Sequence, residues 1–255
     1  MILAVDIGNS NVTFGIFDSD IIIETNRLIT HSSNLDAEIK VLFKDYFQKY
    51  NIEGAIISSV VKDLDKKIKV IADNIFNIES IVLDLTLKTD LKLKVDNPQQ
   101  IGKDRLANAV CHKKYPCPAI IIDIGTATTF DIIDKDGYFT GGIIIPGVNM
   151  QFEALNHYTS LLPKLSPKKI DHVIGKNTED NILSGVIRGH ACAISGLVKE
   201  CEKELGQRAV LIGTGGLSEF ITEYMERPFD YIDKNLTLNG LNIIYKLNKL
   251  CPAGN

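Results

Sequence analysis

The pattern that most constrains this chain is a buried-strand signature that occurs twice and ends each time in Asp-x-Gly. Residues 2–7 read Ile-Leu-Ala-Val-Asp-Ile before Gly8, and residues 119–124 read Ala-Ile-Ile-Ile-Asp-Ile before Gly125. Continuous apolar runs of this length, bounded by glycine, are typical of strands buried on both faces of a sheet. Glycine allows a sharp turn and close approach of a ligand, and the hydroxyl and amide side chains that follow suit phosphate oxygens. Two such turns at the heads of two similarly built halves predict a two-lobed nucleotide site.

The order of predicted elements is the same in both halves. In each half, three strands are followed by a helix, a strand and a further helix, and the second half carries extra helix. We therefore predict an α/β fold of two duplicated βββαβα lobes that face one another across a nucleotide cleft. This order of elements resembles the ribonuclease H-like fold. The Pro-Cys-Pro stretch at 116–118 is the predicted hinge, which gives an N-terminal lobe at 1–115 and a C-terminal lobe at 116–255.

Composition and charge exclude several functions. A net charge of −4 and a pI near 5.8 provide no basic stripe for a nucleic-acid partner. No apolar run reaches the length of about 18 to 20 residues that a membrane span needs, and the N-terminus is apolar only briefly before Asp6, so we expect a cytoplasmic protein without a membrane partner. The five cysteines are odd in number and lack metal-ligand spacing, which favours free thiols in a reducing compartment.

Two carboxylates occupy corresponding positions in the two halves. Asp6 and Asp123 each end an apolar run, and carboxylates beside nucleotide phosphates hold cations, because hard cations prefer oxygen ligands. The alternative is a pair of ordinary strand-end turns with solvated aspartates. The run Gly-Thr-Gly-Gly at 213–216 follows a strand and precedes a helix. It can bring backbone against adenine or a phosphate, or its glycines can simply permit close packing of the helix.

A third carboxylate, Asp104, lies at the start of a predicted helix. Phosphoryl transfer to a hydroxyl requires a group that accepts the proton of the acceptor, and Asp104 is the candidate. From spacing alone, a helix-capping role for Asp104 is the simpler interpretation. Arg105 can clamp an acceptor carboxylate through its bidentate guanidinium, although an exposed arginine is usually only solvated.

Duplicated lobes of this kind resemble the superfamily of actin, sugar kinases and heat-shock ATPases, which is an analogy of fold. Within it, the chain resembles type III pantothenate kinases, bacterial enzymes of coenzyme A synthesis, over nearly its whole length. The motifs that carry this resemblance, in the order and spacing of the family, are Asp6–Thr13, Asn97-Pro98, Gly102–Arg105, Asp123–Thr129, Gly141-Gly142 with Pro146-Gly147, Gly175–Thr178 and Thr214–Leu217.

The resemblance implies transfer of the γ-phosphoryl group of ATP to the primary hydroxyl of pantothenate, giving 4'-phosphopantothenate. It assigns Asp123 to a monovalent cation, K⁺ or NH4⁺, makes Asp104 the proton acceptor, and places Mg²⁺ with the nucleotide. It also implies a homodimer whose interface helps to build the pantothenate pocket. The implied ATP-binding residues are Asp6, Ile7, Gly8, Asn9, Ser10, Asn11, Val12, Thr13 and Thr126. The implied pantothenate-binding residues are Gly102, Lys103, Asp104, Arg105 and Thr178.

Two positions depart from the family pattern. Val95 stands where members often carry tyrosine, so a hydroxyl donor or aromatic wall is missing or comes from elsewhere. Lys103 stands where a small or apolar residue is usual. If its side chain approaches Asp104, it favours the carboxylate form and lowers its basicity; otherwise it points to solvent. Two other functions therefore stay open: a kinase of the same superfamily with another hydroxyl acceptor, and a non-catalytic nucleotide-binding regulator.

Overall fold

The computed structural model describes residues 1–249 and divides the chain into two compact units. The first contains residues 1–91, 95–111 and 236 onward, and the second contains residues 92–94 and 112–235. The division therefore falls at 111/112 rather than at 115/116, and the last helix belongs to the first unit rather than to a C-terminal lobe. Cys251 lies outside the described residues, as does residue 250, where the sequence predicts that a last helix beginning near residue 238 ends.

Eleven strands and eight α-helices are described, together with 3₁₀ turns at 98–100 and 111–114 and a π-helical turn at Ser184–Arg188. In chain order they are β1 Ile2–Ile7, β2 Asn11–Asp18, β3 Ile21–Ile29, α1 Leu35–Lys49, β4 Gly54–Ser59, α2 Leu64–Phe76, β5 Ile81–Val82, β6 Lys92–Leu93, α3 Lys103–Val110, β7 Ala119–Ile124, β8 Ala127–Ile133, β9 Tyr138–Pro146, α4 Val148–His157, α5 Thr178–Leu183, α6 Gly189–Leu205, β10 Val210–Thr214, α7 Ser218–Thr222, β11 Tyr231–Ile232 and α8 Leu236–Lys249.

The two units share one sheet topology. In the first unit the strand order is β3-β2-β1-β4-β5, with β1 antiparallel to β2 and parallel to β4. In the second unit β9-β8-β7-β10-β11 repeats that order and those directions, and β6 adds a parallel strand beside β9. The prediction of duplicated βββαβα units is confirmed.

The sheet of the first unit is covered on both faces, as its apolar strands predicted. Val5 and Ile7 pack in the cluster that contains α1 and α2, whereas Ala4 packs in the cluster that contains α3 and α8. Helix α8 crosses α3 at very short range, because a Cβ on Gly240 would lie only 1.9 Å from the carbonyl oxygen of Ala107. This close crossing joins α8 to the rest of the first unit.

The apolar core of the second unit lies on one face of its sheet. Ile120, Ile122 and Ile124 alternate along β7 and pack against helices α4 to α7. Residues 178–205 are helical throughout and contain a window with the length and hydropathy that a membrane span requires. No such segment was predicted from the sequence. Half of that window is buried within the unit, as in a core helix of a globular protein.

Candidate active site

The first predicted phosphate turn is the Gly8–Ser10 connection between β1 and β2. The Gly8 N–H donates to the carbonyl oxygen of Asn11 at 2.9 Å, and Thr30, at the end of β3, holds the turn from the side. Its hydroxyl donates to the Gly8 oxygen at 2.8 Å and its N–H donates to the Ser10 oxygen at 3.0 Å. Gly8 does not adopt the left-handed backbone region. A Cβ at this position would lie 3.3 Å from the Asn11 oxygen, so the glycine allows the backbone of the turn to pack closely.

Asp6 lies in a row of oxygen-bearing side chains across the first sheet. In the register it is opposite Thr13 on β2 and Ser58 on β4, and paired residues on adjacent strands share a face. Ala4, two residues earlier, packs toward α3, so the row lies on the α3 side. Ser58 is fully buried, and its hydroxyl has no hydrogen-bond partner among the described residues. The row therefore supplies oxygen ligands of the kind that a hard divalent cation takes.

Asp104 occupies the first turn of α3 but does not cap it. Gly102 is the N-cap and supplies no side-chain cap, while Oδ1 of Asp104 accepts the N–H of Arg105 at 2.8 Å. A Cβ on Gly102 would lie 2.5 Å from the same Oδ1, so this glycine leaves room for the carboxylate. The capping interpretation is thus wrong in its usual form, although Asp104 does satisfy one first-turn N–H.

Lys103 follows neither predicted path. Its ammonium lies 3.5 Å from Oδ2 of Asp65, in the first turn of α2, and the Asp65 side chain is only 16% exposed. Hydrogen bonds from Thr86 hold the pKa of Asp84 below its ordinary value, and the positive charge of Lys103 lowers it further. The lysine therefore faces carboxylates of its own unit other than Asp104, rather than open solvent.

The second predicted phosphate turn, Gly125-Thr126, is held in the same way as the first. The Gly125 N–H donates to the Ala127 oxygen at 3.1 Å, and Gly147, directly after β9, donates its N–H to the Thr126 oxygen at 3.2 Å. A Cβ on Gly147 would lie 2.2 Å from that oxygen. In both units, the residue after the third strand holds the turn after the first. Gly125, like Gly8, does not adopt the left-handed backbone region, so neither turn uses the conformation that only glycine adopts readily.

The Gly-Thr-Gly-Gly loop resolves into two roles. A Cβ on Gly213 would lie 2.4 Å from the Phe229 ring, so this glycine permits close packing. Gly215 has a φ of +86°, and a Cβ there would lie 2.5 Å from Oδ1 of Asp123 and 2.6 Å from the Ile124 oxygen. A carboxylate and a carbonyl oxygen thus converge beside Gly215. The described residues contain no group of three His, Cys, Asp or Glu side chains that could hold a metal, so a cation at Asp123 would also need carbonyl, hydroxyl or substrate oxygens.

Thr178 begins α5 and lies on the wall of a cavity of about 630 Å³ in the second unit. Asn177 caps this helix by accepting the Asp180 N–H at 2.9 Å. A Cβ on Gly175 would lie 2.4 Å from Oδ1 of Asn181, so the Gly-Lys-Asn-Thr motif first fixes the start of α5. The remaining lining residues are Gln151, Ala154, Leu155, Leu162, Asn181, Ile182, Gly185 and Val186.

A buried histidine that the sequence did not single out contacts the strand that follows the second predicted phosphate turn. His190 on α6 is 2% exposed, and its Nε2 lies 3.0 Å from the hydroxyl of Thr128, within the Asp123–Thr129 motif. Its Nδ1 lies 2.8 Å from the side-chain nitrogen of Gln151. Burial lowers the pKa of His190 from 6.5 to about 4. A lone histidine in an apolar helix gives no sequence signal of this network. Thr30 and Ser58 were also missed, because no local sequence pattern connects them with the turn after β1.

The structure thus places the predicted residues in two groups. Asp6–Thr13 and Gly102–Arg105 belong to the first unit, and Thr126, Asp123 and Thr178 belong to the second. Within each unit, an Asp-x-Gly turn is fixed by backbone hydrogen bonds and followed by hydroxyl-bearing residues. Duplicated βββαβα units with such turns define the class of protein by its fold, which is actin-like.

Comparison with solved structures agrees with this class of fold. The activator of 2-hydroxyisocaproyl-CoA dehydratase from Clostridium difficile, solved with bound ADPNP, has a TM-score of 0.56 at 12% identity, covering 100% of this chain and 99% of that one. A Campylobacter jejuni protein described as a Baf family transcriptional activator has a TM-score of 0.61 at 23% identity, covering 98% and 100%. These likenesses concern the fold alone.

The family follows from sequence. The model of the type III pantothenate kinase family matches residues 2–200. A type III pantothenate kinase from an Exiguobacterium strain is 38% identical over 255 residues, covering 98% of this chain and 100% of that protein. The chain belongs to the type III pantothenate kinase family.

Proposed function

We propose that this protein transfers the γ-phosphoryl group of ATP to pantothenate and yields 4'-phosphopantothenate, the first step of coenzyme A biosynthesis. The observation that carries the proposal is the pair of Asp-x-Gly turns held by equivalent hydrogen bonds, in a chain of the pantothenate kinase family. A kinase of this family takes ATP together with a divalent metal ion, and we propose Mg²⁺.

The nucleotide roles go to the phosphate turns. We assign ATP binding to residues 6–13 and to Thr126, whose backbone N–H groups and hydroxyls suit phosphate oxygens. The row of Asp6, Thr13 and Ser58 fits a divalent ion, which would neutralise charge on the phosphates. The oxygens beside Gly215 support a monovalent cation, K⁺ or NH4⁺, at Asp123.

The acceptor roles go to the start of α3 and to Thr178. Oδ1 of Asp104 accepts the Arg105 N–H, and Oδ2 accepts no hydrogen bond among the described residues. Oδ2 is therefore the atom that takes the proton of the pantothenate hydroxyl as the phosphoryl group arrives. The segment Gly102–Arg105 joins it in binding pantothenate, with the Arg105 guanidinium suited to the pantothenate carboxylate. Lys103 belongs to this segment, but its ammonium faces Asp65, so its side chain is expected to contribute little to the binding of pantothenate. We also propose a cytoplasmic homodimer whose interface contributes to the pocket.

The test is ADP release by the purified protein with ATP, Mg²⁺ and K⁺, with and without pantothenate, repeated with Na⁺ replacing K⁺. We expect pantothenate-dependent turnover that collapses in Na⁺. Turnover that is indifferent to the monovalent ion, or K⁺ activation that survives in Asp123→Ala, would remove the role given to Asp123. A folded protein without pantothenate-dependent turnover would refute the proposal and favour another hydroxyl acceptor, to which Val95 points, or a nucleotide-binding regulator.

The base is tested separately with Asp104→Asn. The amide keeps the size of the side chain and can still accept the Arg105 N–H, but it cannot take a proton. We expect turnover to fall by at least about a hundredfold with ATP affinity within about twofold of the parent. Asp36→Asn, an exposed first-turn aspartate on α1, is the matched control. Near-normal turnover in Asp104→Asn would refute the assignment.

A further inference from the structure

The side-chain amide of Gln151 is held in one orientation. Gln151 lies one turn into α4, and its amide nitrogen is 3.0 Å from the carbonyl oxygen of Pro146. A carbonyl oxygen only accepts hydrogen bonds, so the group facing it is the NH2 and not the amide oxygen. The same nitrogen is 2.8 Å from Nδ1 of His190 and donates its second hydrogen there.

This contact also fixes the protonation of His190. Because Nδ1 accepts from Gln151, the ring proton is on Nε2, which donates to the hydroxyl of Thr128 at 3.0 Å. The burial that lowers the pKa of His190 to about 4 keeps the ring neutral near pH 7. A neutral imidazole in one tautomer therefore holds the Gln151 amide in place by accepting one of its hydrogens.

The locked amide leaves only one atom for a ligand. Both N–H groups of Gln151 are used, so Oε1 is the polar atom that this side chain can offer to the cavity it lines. Among the described residues, the lining includes no charged side chain and is largely apolar, with Thr178 and Asn181 as its other polar side chains. A volume of about 630 Å³ is in the usual range for small-molecule sites. The cavity therefore suits an uncharged, partly apolar group that carries a hydrogen-bond donor.

Backbone hydrogen bonds connect the wall of the cavity with the second predicted phosphate turn. The N–H of Gln151 donates to the oxygen of Gly147 at 3.1 Å, and Gly147 in turn donates to Thr126 at 3.2 Å. Through His190, the same side chain also reaches Thr128. The wall of the cavity and the phosphate turn are thus parts of one hydrogen-bonded assembly.

We propose that this cavity binds the uncharged middle of the phosphoryl acceptor, with Oε1 of Gln151 accepting a hydrogen bond from an acceptor N–H or O–H. Gln151 is then a specificity-determining residue for the acceptor, and His190 is a positioning residue that acts through it. The inference rests on the proposed pantothenate kinase activity, since pantothenate carries both an amide N–H and a secondary hydroxyl between its reacting hydroxyl and its carboxylate.

The first experiment compares Gln151→Leu with the parent enzyme. Leucine approximates the volume and removes the acceptor, which leaves a ligand donor unpaired. We expect KM for pantothenate to rise about tenfold or more, with KM for ATP within about twofold. Gln207→Leu, on an exposed turn after α6, is the matched control and should leave both constants unchanged.

The second experiment identifies the donor. Two analogues are compared, one with an ester oxygen in place of the amide N–H and one without the secondary hydroxyl. The parent should discriminate against one of them by about tenfold or more, and Gln151→Leu should lose that discrimination. Equal discrimination by parent and variant against both analogues would overturn the proposal.

The third experiment tests the positioning role of His190. His190→Leu removes the lock and should raise KM for pantothenate several-fold without changing KM for ATP. His190→Gln, whose amide can accept from Gln151 and donate to Thr128, should restore it. A fall in kcat with both KM values unchanged, or no rescue by glutamine, would overturn this role.

Failure of the inference is distinguishable from failure of the proposed function. If the parent enzyme shows no pantothenate-dependent turnover, the proposed function fails. If the parent turns over pantothenate and Gln151→Leu has an unchanged KM for it, the inference alone fails. A variant that only shifts the oligomeric state in sedimentation, with KM unchanged, would likewise overturn the inference and assign the cavity to a second copy of the chain.

Discussion

Replacing His190 with glutamine should change how the stability of the protein depends on pH. Burial holds the pKa of this histidine at about 4 in the folded chain, against about 6.5 when it is unfolded and solvated. Glutamine can make the same two hydrogen bonds, but it has no proton to bind in this range. The substitution therefore removes one titration and leaves the packing of the helix nearly unchanged.

The sign follows from which state binds the proton. Above about pH 6.5 the ring is neutral in both states, and the full stability is present. As pH falls from 6.5 toward 4, the unfolded chain takes up a proton that the folded chain excludes, so the free energy of unfolding decreases. At about 1.4 kcal/mol for each pH unit, the difference between the folded and unfolded pKa values corresponds to roughly 3 kcal/mol of unfolding free energy. That is a large share of the 5–15 kcal/mol typical of a folded protein.

The assay is urea unfolding at several pH values between about 7 and 4. The chain contains no tryptophan, so the transition is followed by far-ultraviolet circular dichroism. At pH 4 the free energy of unfolding of His190→Gln should exceed that of the parent by roughly 3 kcal/mol more than it does at pH 7. This difference should appear below about pH 6.5. His31→Gln, at an exposed position of the first unit, is the matched control. Parallel pH dependence of parent and His190→Gln would refute the buried neutral imidazole and the network built on it.

Three further outcomes are expected. Lys103→Ala should leave turnover in the ADP-release assay within a few-fold, because its ammonium faces a carboxylate on α2; a large fall would show contact with substrate or phosphate. Gly215→Ala places a Cβ against Asp123 and should raise the K⁺ concentration for half-activation at least about tenfold, whereas Gly196→Ala, with open space around it, should not; equal effects would refute the cation site. Although burial by itself raises the pKa of Asp73, hydrogen bonds from Lys69 and Ser80 lower it overall, so Asp73→Asn should cost about 1–3 kcal/mol in urea unfolding, and an unchanged midpoint would contradict the network.

Local signals predicted the strands before the two Asp-x-Gly turns well. The runs that end in Asp6 and Asp123 are apolar without interruption, so their assignment as buried strands needed no knowledge of their neighbours. The Asp-Gly pair at 136–137 is a local turn signal of the same kind, and it lies in the bend between β8 and β9, where Gly137 has a φ of +77°. These features are fixed by residues within a few positions of one another.

Contacts that join distant parts of the chain were predicted poorly. The last helix was assigned to the C-terminal lobe because it follows it in sequence, yet Gly240 brings it against Ala107. Lys103 was considered only beside Asp104 or in solvent, since Asp65 lies 38 positions earlier in the numbering and no local pattern connects them. The pairing depends on how α2 and α3 pack.

Short segments of the sequence suffice to predict the class of fold, the positions of the two Asp-x-Gly turns and the family, because strand periodicity, glycine positions and motif order are local properties. The groups that surround each motif depend on the tertiary structure. It showed that Thr30 and Gly147 hold the two turns, that Gly215 stands against Asp123, and that His190 locks Gln151. Burial, hydrogen-bond geometry and the pKa of a histidine depend on distances between segments far apart in the chain, and those distances exist only once the chain has packed.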